Sequence, residues 1–338
     1  MSIRELFSSW IYPREILLAE QFNYGHREVL IATNDLPNST LFLASIIHGW
    51  GLEDNPFGIA KIRARNFQCY PIYAWSHRSA NIIRNSTGCE VSVIGSPWSH
   101  LLQSLGINSE EKVQAASTSH RVLYFAPHSM PGGTSRHTDM ALDAIFKKSA
   151  TDEITVCLFW LDFIDPEIRK HYSKNKVKIE CVGFRGSSGF ETPWTPIGGR
   201  VSFLPKLFEL ISSHDLIVVD SVSTPFWYAL SLGKNVMIPV ENHEVKWWGG
   251  EAPRAILDTP NSVILKSISP SLSKFPIGEI VTPDSGLKEI ALLERGWYET
   301  ENLMKIYSSK KMTHQDPRFE KLVEPIINYV KEQTIISS

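Results

Sequence analysis

The chain has 338 residues, 43% of them hydrophobic and 11% aromatic, which excludes a disordered protein and leaves room for two domains of roughly 100–200 residues each. Its 34 basic and 36 acidic residues give a net charge of −2 without any lysine- or arginine-rich block, so no nucleic-acid partner is expected. The four cysteines, Cys69, Cys89, Cys157 and Cys181, form no CxxC pair, which predicts free thiols in a reducing compartment rather than a disulfide framework.

From the N-terminus, MSIRELFSSWIYPREILLAEQF carries charges every few residues and lacks the apolar centre of a secretory signal. No run of about 18 apolar residues follows, so a cytoplasmic protein without a membrane span is expected. Trp10, Ile11 and Tyr12, with Arg4 and Arg14, could touch the inner face of a membrane, a peripheral contact at most. Strand candidates then recur at Val29–Thr33, Leu41–Ile47, Gln68–Ala74, Val91–Ile94, Val122–Ala126, Ile154–Phe159, Val177–Val182, Leu216–Val219 and Val236–Val240. Helical segments between them imply βαβ units and parallel sheets covered on both faces, an α/β fold. The polar stretch between Ile107 and His120 divides the chain into a first domain, 1–118, and a second, 119–338. Residues 256–283, with five prolines or glycines and several serines, read as irregular connection. Beyond Asp284 the pattern is helical, clearest at Leu287–Trp297 and Phe319–Gln333, and such terminal helices often cross back to the first domain.

The most informative stretch is LIVVDSVSTPFWYALSLGKNVMIPV, residues 216–240. An apolar strand ends at Asp220, Ser221, Ser223 and Thr224 follow, Pro225 opens a helix, Gly233 closes it, and a second strand begins. Pro suits the first helical turn and Gly the left-handed position after the last. The free N–H groups and macrodipole of such a helix start hold anions such as phosphate. The plainer alternative is that Ser or Thr merely caps the helix, worth ~1 kcal/mol. Both can hold together.

Polar and glycine residues cluster after other strands too: His48-Gly49-Trp50-Gly51, Gly95-Ser96-Pro97-Trp98, Pro127-His128-Ser129 running to Arg136, and Gly183-Phe184-Arg185-Gly186. In open parallel sheets ligands bind at these ends. The runs HGWG, AWSHRSANIIRNSTGCEVSVIGSPWSHLL, VLYFAPHSMPGG and DSVSTPFWYALSLGKNV, in this order over roughly residues 28–245, resemble GT-B glycosyltransferases. They look most like bacterial surface-polymer enzymes, including the teichoic-acid glycerophosphotransferases. The resemblance implies two Rossmann-like domains facing an interdomain cleft, an N-terminal acceptor domain and a C-terminal domain that holds a nucleotide-activated donor. It implies transfer of a sugar or polyol-phosphate to a surface glycan acceptor.

On this resemblance His48 is the candidate base for the acceptor hydroxyl, with Glu53 and Asp54 behind it; an imidazole suits that task near neutral pH. His128, Ser129, Arg136, Arg185, Asp220, Ser221, Ser223 and Thr224 are the candidate donor-binding set. An arginine can grip phosphate through paired N–H groups and offset charge on a leaving nucleotide. Each has a plainer reading: a strand-end histidine bonded to backbone, a solvated acidic loop, a glycine turn. Many GT-B enzymes place a glutamate in the helix after the donor turn to hold the ribose. Here Phe226-Trp227-Tyr228 stands at that place, so CMP or CDP donors are as open as UDP ones. Trp247-Trp248 could wall a pocket, or simply pack.

No DxD motif is present; Asp162 and Asp165 in LDFID have the wrong spacing and read as surface aspartates. No metal and no cofactor are therefore expected, the nucleotide donor being a substrate. Two other functions fit the same scaffold. A nucleotide-sugar 2-epimerase would carry a glycine-rich turn where this chain has SVST; a non-catalytic nucleotide- or sugar-binding protein would keep only a degenerate donor site.

Overall fold

The structure is a computed structural model that describes residues 25–37, 40, 42, 44–47, 49–50, 72–107, 121–127, 133–135, 139–149, 153–175, 177–182, 203–241, 245–247 and 259–309. In chain order the strands are β1 (Ser45–Ile46), β2 (Ile72–Ala74), β3 (Val91–Val93), β4 (Val122–Phe125), β5 (Gly133–Ser135), β6 (Ile154–Cys157), β7 (Lys178–Glu180), β8 (Leu216–Val219), β9 (Asn235–Met237) and β10 (Val245–Trp247). The α-helices are α1 (His26–Thr33), α2 (His77–Thr87), α3 (Pro97–Ser104), α4 (Met140–Lys148), α5 (Trp160–Phe163), α6 (Pro166–Ser173), α7 (Phe203–Ser212), α8 (Thr224–Ser231), α9 (Asn261–Ile268), α10 (Ser285–Glu294) and α11 (Asn302–Ser309). The protein is α/β, with parallel sheets. Among the described residues no helix is long and apolar enough to cross a membrane.

The described residues form two compact units. One contains a five-stranded, all-parallel sheet in the order β7-β6-β4-β8-β9. Counted along the chain its strands run third, second, first, fourth, fifth, so the direction of winding reverses between β4 and β8. Its central strands are predominantly apolar, as expected of strands covered on both faces, with Thr155 of β6 a buried polar exception. Every residue of β6 and β8 is buried, and Val122, Leu123 and Tyr124 of β4 are too. The edge strand β7 differs: Lys178 pairs with Glu180 at 2.8 Å and both stay solvated, which blunts an open edge. After β8, helix α8 buries Phe226, Trp227 and Tyr228 almost completely, each contributing about 2–3 kcal/mol of transfer free energy. Gly233 beyond its end has φ +68°, the left-handed stop expected from the sequence.

The other unit contains the parallel sheet β1-β2-β3. Ser76 caps α2 by accepting from the Ser79 N–H, and left-handed Gly88 ends it. Ser96 caps α3 in the same way, accepting from the Ser99 N–H. Leu30, Phe42, Ile46, Tyr73 and Ile94 share a core with Leu303 of α11, so the segment after α10 completes this unit. The joint is a backbone contact. Gly95 (φ +78°) lies against Gly296 (φ +62°), the Ser96 N–H donates to the Arg295 carbonyl at 2.9 Å, and Thr300 Oγ1 donates to Gln103 Oε1 at 2.8 Å.

Three expectations are corrected here. Val29–Thr33 is not a strand; it lies in α1, with Val29, Leu30 and Ile31 all buried. A short apolar run has no periodicity to separate a buried strand from a buried helix. Residues 256–283 include α9 and a 3₁₀ turn, Pro270–Lys274, rather than only irregular chain. The prolines lie outside the helix ends, where they punctuate it. Asp162 is not a surface residue: α5 turns it inward and it has no exposed area. Phe319–Gln333 lies outside the described residues.

Candidate functional site

The turn after β8 stands where the sheet's winding reverses, the place at which connections diverge and leave a crevice outside the strand ends. β4, whose chain continues into His128 and Ser129, is the neighbouring strand. The loops that leave β4 and β9, the two strands flanking β8, are joined by the antiparallel pair β5–β10, with Ser135 opposite Val245 and Gly133 opposite Trp247. Three chain segments are thus gathered at one edge by topology alone.

Asp220 is 7% exposed, and its carboxylate accepts from Tyr124 Oη at 2.7 Å, a link between β8 and β4. Tyr124 is bonded in turn to Tyr172 of α6, and burial first, then the Asp220 charge, holds both phenols well above their ordinary range. Both therefore stay protonated at every physiological pH. Asp162, from the helix after β6, adds its charge to the surroundings of Tyr172. The floor of the edge is a buried network of two tyrosines among carboxylates, which is rigid when its members are satisfied. Asp165 has a local task, accepting from the Glu167 and Ile168 N–H groups at the start of α6.

Beyond Asp220 the turn opens outward. Ser221, Ser223 and Thr224 are half-buried. Ser223 occupies the N-cap of α8 with extended backbone (φ −144°, ψ 177°), yet its side chain makes no capping bond, unlike Ser76 and Ser96. Its carbonyl accepts from the Phe226 N–H at 3.0 Å and from the Trp227 N–H at 3.4 Å, so it is shared between the first two available donors of the helix. Asn261, at the start of α9, braces the turn: its Oδ1 accepts from the Val222 N–H at 3.0 Å and its Nδ2 donates to the Asp220 carbonyl at 2.9 Å.

Phe226, Trp227 and Tyr228 are 0%, 0% and 1% exposed, so the first turn of α8 carries core side chains. The structure brings Asp220, Ser221, Ser223 and Thr224 together; His48, Glu53, Asp54, His128, Ser129, Arg136, Arg185 and Trp248 lie outside the described residues, as do Trp10–Tyr12. Sequence reasoning missed Tyr124, Tyr172, Asp162 and Asn261. Only the inward-facing Tyr of VLYF could have hinted at the first; the others come from segments distant in sequence.

A concavity of about 520 Å³ lies in the other unit between α1, α3 and α11 and is lined by Asn34, His100, Gln103, Thr300 and Lys305 among others. Both ring nitrogens of its buried histidine are already engaged. Among the described residues no group of three or more His, Cys, Asp or Glu is placed to hold a metal ion. In comparisons with known proteins no family model matches the chain and no curated protein matches it, so its function rests on this geometry.

Proposed function

We propose that the protein is a glycosyltransferase or polyol-phosphate transferase that moves its group from a nucleotide-activated donor to a surface glycan acceptor. The proposed architecture is GT-B: two Rossmann-like domains facing a cleft. The observation that carries the reading is the uncapped start of α8 at the winding reversal, with serine hydroxyls on a turn made rigid from beneath. A donor phosphate there would accept from Ser221 and Ser223 and lie at the positive end of the helix. His128 and Ser129 are proposed as further donor contacts because their loop leaves the strand beside β8; Arg136 and Arg185 would supply charge to the leaving nucleotide. Donors fixed in advance of the reaction are worth ~3 kcal/mol each in a transition state. His48 is proposed to take the acceptor proton, with Glu53 and Asp54 as the alternatives.

Thermal unfolding with CMP, CDP, UDP, GDP or ADP, first without metal and then with Mg²⁺, tests the donor site. A nucleotide at 100 times its Kd stabilises by about 2.7 kcal/mol, and one of the five is expected to stand out. Absence of any shift under both conditions would end the donor-site reading. His48→Ala is expected to keep that shift and to lose donor turnover. Full turnover in this variant would remove His48 from the mechanism.

A further inference from the structure

We infer that Asn261 is a positioning residue for the donor site, its amide holding the Asp220–Val222 turn in the shape that receives a nucleoside diphosphate. This rests on the donor reading proposed above. Asn261 is 2% exposed. Its Nδ2 donates to two carbonyls, Asp220 at 2.9 Å and Val240 at 3.0 Å, and its Oδ1 accepts from the Val222 N–H at 3.0 Å. One planar amide thus uses both N–H donors and its oxygen to fasten the turn after β8 to the segment after β9.

The brace is itself anchored. The Asn261 N–H donates to the Glu241 carbonyl at 3.0 Å, and the Glu241 carboxylate accepts from the Ser262 N–H at 3.1 Å and from the Ser262 hydroxyl. An acidic side chain at the first turn of α9 also meets the positive end of that helix. From the other side, Tyr124 holds the Asp220 carboxylate, so the turn is gripped by its side chain from β4 and by its backbone from α9. Ser221 and Ser223 flank the gripped residue Val222. Their spacing is therefore set before any ligand arrives, which is what lets two hydroxyls act on one diphosphate without an ordering cost at binding. Asn261 acts through this turn.

The test compares Asn261→Ala with Lys234→Met, which removes another buried donor, to the Ser212 carbonyl (2.7 Å), at the opposite, amino end of β9. CDP and UDP are titrated calorimetrically into each variant and the wild type at a temperature where all are folded, and hydrogen exchange is followed over residues 216–224. Asn261→Ala is expected to weaken the nucleotide about 10- to 100-fold and to speed exchange at 220–224, because the buried Val222 N–H and two carbonyls lose their partner. Lys234→Met is expected to leave the affinity unchanged. Should Asn261→Ala not fold, Asn261→Asp, which keeps the acceptor and loses both donors, is expected to show the same weakening. Affinity within twofold of wild type would overturn the inference while leaving the donor site standing, and so would equal weakening by Lys234→Met. If the wild type binds neither nucleotide although another of the five shifts its unfolding, the inference falls alone; if none of the five does, the donor reading itself falls and takes the inference with it, even where Asn261→Ala speeds exchange.

Discussion

Gly296→Ala is expected to destabilise the unit built on β1–β3 by at least about 4 kcal/mol, enough to abolish its cooperative unfolding transition. A Cβ at this position would overlap the carbonyl oxygen of Trp75, which belongs to backbone and has no rotamer to yield. The residue also has φ +62°, a conformation that L side chains adopt only at a cost of about 1 kcal/mol or more. Its neighbour is equally closed, since a Cβ on Gly95 would lie 2.6 Å from the Gly296 carbonyl oxygen. Gly88→Ala separates the two effects. Gly88 has φ +69° but nothing within 4 Å of its added Cβ, so only the conformational cost of about 1 kcal/mol is expected. Denaturant unfolding of the three proteins decides it: a Gly296→Ala protein no less stable than Gly88→Ala would mean that the glycine contact does not hold the late segment in place.

Stability of the same unit is expected to fall by about 3 kcal/mol between pH 6.5 and 4 on account of His100 alone. Its Nε2 is 2.8 Å from the Ile94 carbonyl and its Nδ1 3.1 Å from Asn34 Nδ2. The carbonyl only accepts and the amide only donates, so the ring is neutral with its proton on Nε2. Burial then lowers its pKa from 6.5 to about 4, the Ile94 bond opposing the shift only in part. Below pH 6.5 the unfolded chain takes up a proton that the folded one refuses, so stability is whole above that pH and drains away as pH falls towards 4. His214, in the other unit, is also buried and lowered mainly by desolvation, and gives that unit a pH dependence of the same sign. In His100→Gln, which can offer the same donor and acceptor, the His100 part of the slope disappears. An unchanged slope, followed by denaturant unfolding at pH 7, 5.5 and 4.5, would show that His100 is not buried as a neutral ring.

Legibility in the sequence followed the strength of the local signal. Leu216–Val219, the helix from Thr224 and the stop at Gly233 were all readable, because β-branched residues, proline and glycine act within a few residues of themselves. The same grammar failed at α1, where three apolar residues in a row carry no period, and at α9, where serine and proline were read as loop although they sit at the ends of a helix. LDFID was misjudged for a related reason. Two acids a few residues apart look alike in one dimension, yet α5 buries Asp162 while Asp165 caps α6.

For the candidate site the division is sharper. The serine-rich turn and its place between strand and helix were determined by the sequence, since each depends on the chemistry of neighbours along the chain. That the Ser223 hydroxyl does not cap its own helix, that Tyr124 ties Asp220 down, and that Asn261 braces the turn from 39 residues beyond Val222 were decided only by the tertiary structure. The reason is physical. A buried polar group must find its partner wherever the fold brings one, and the order β7-β6-β4-β8-β9 sets side by side segments that no local pattern connects.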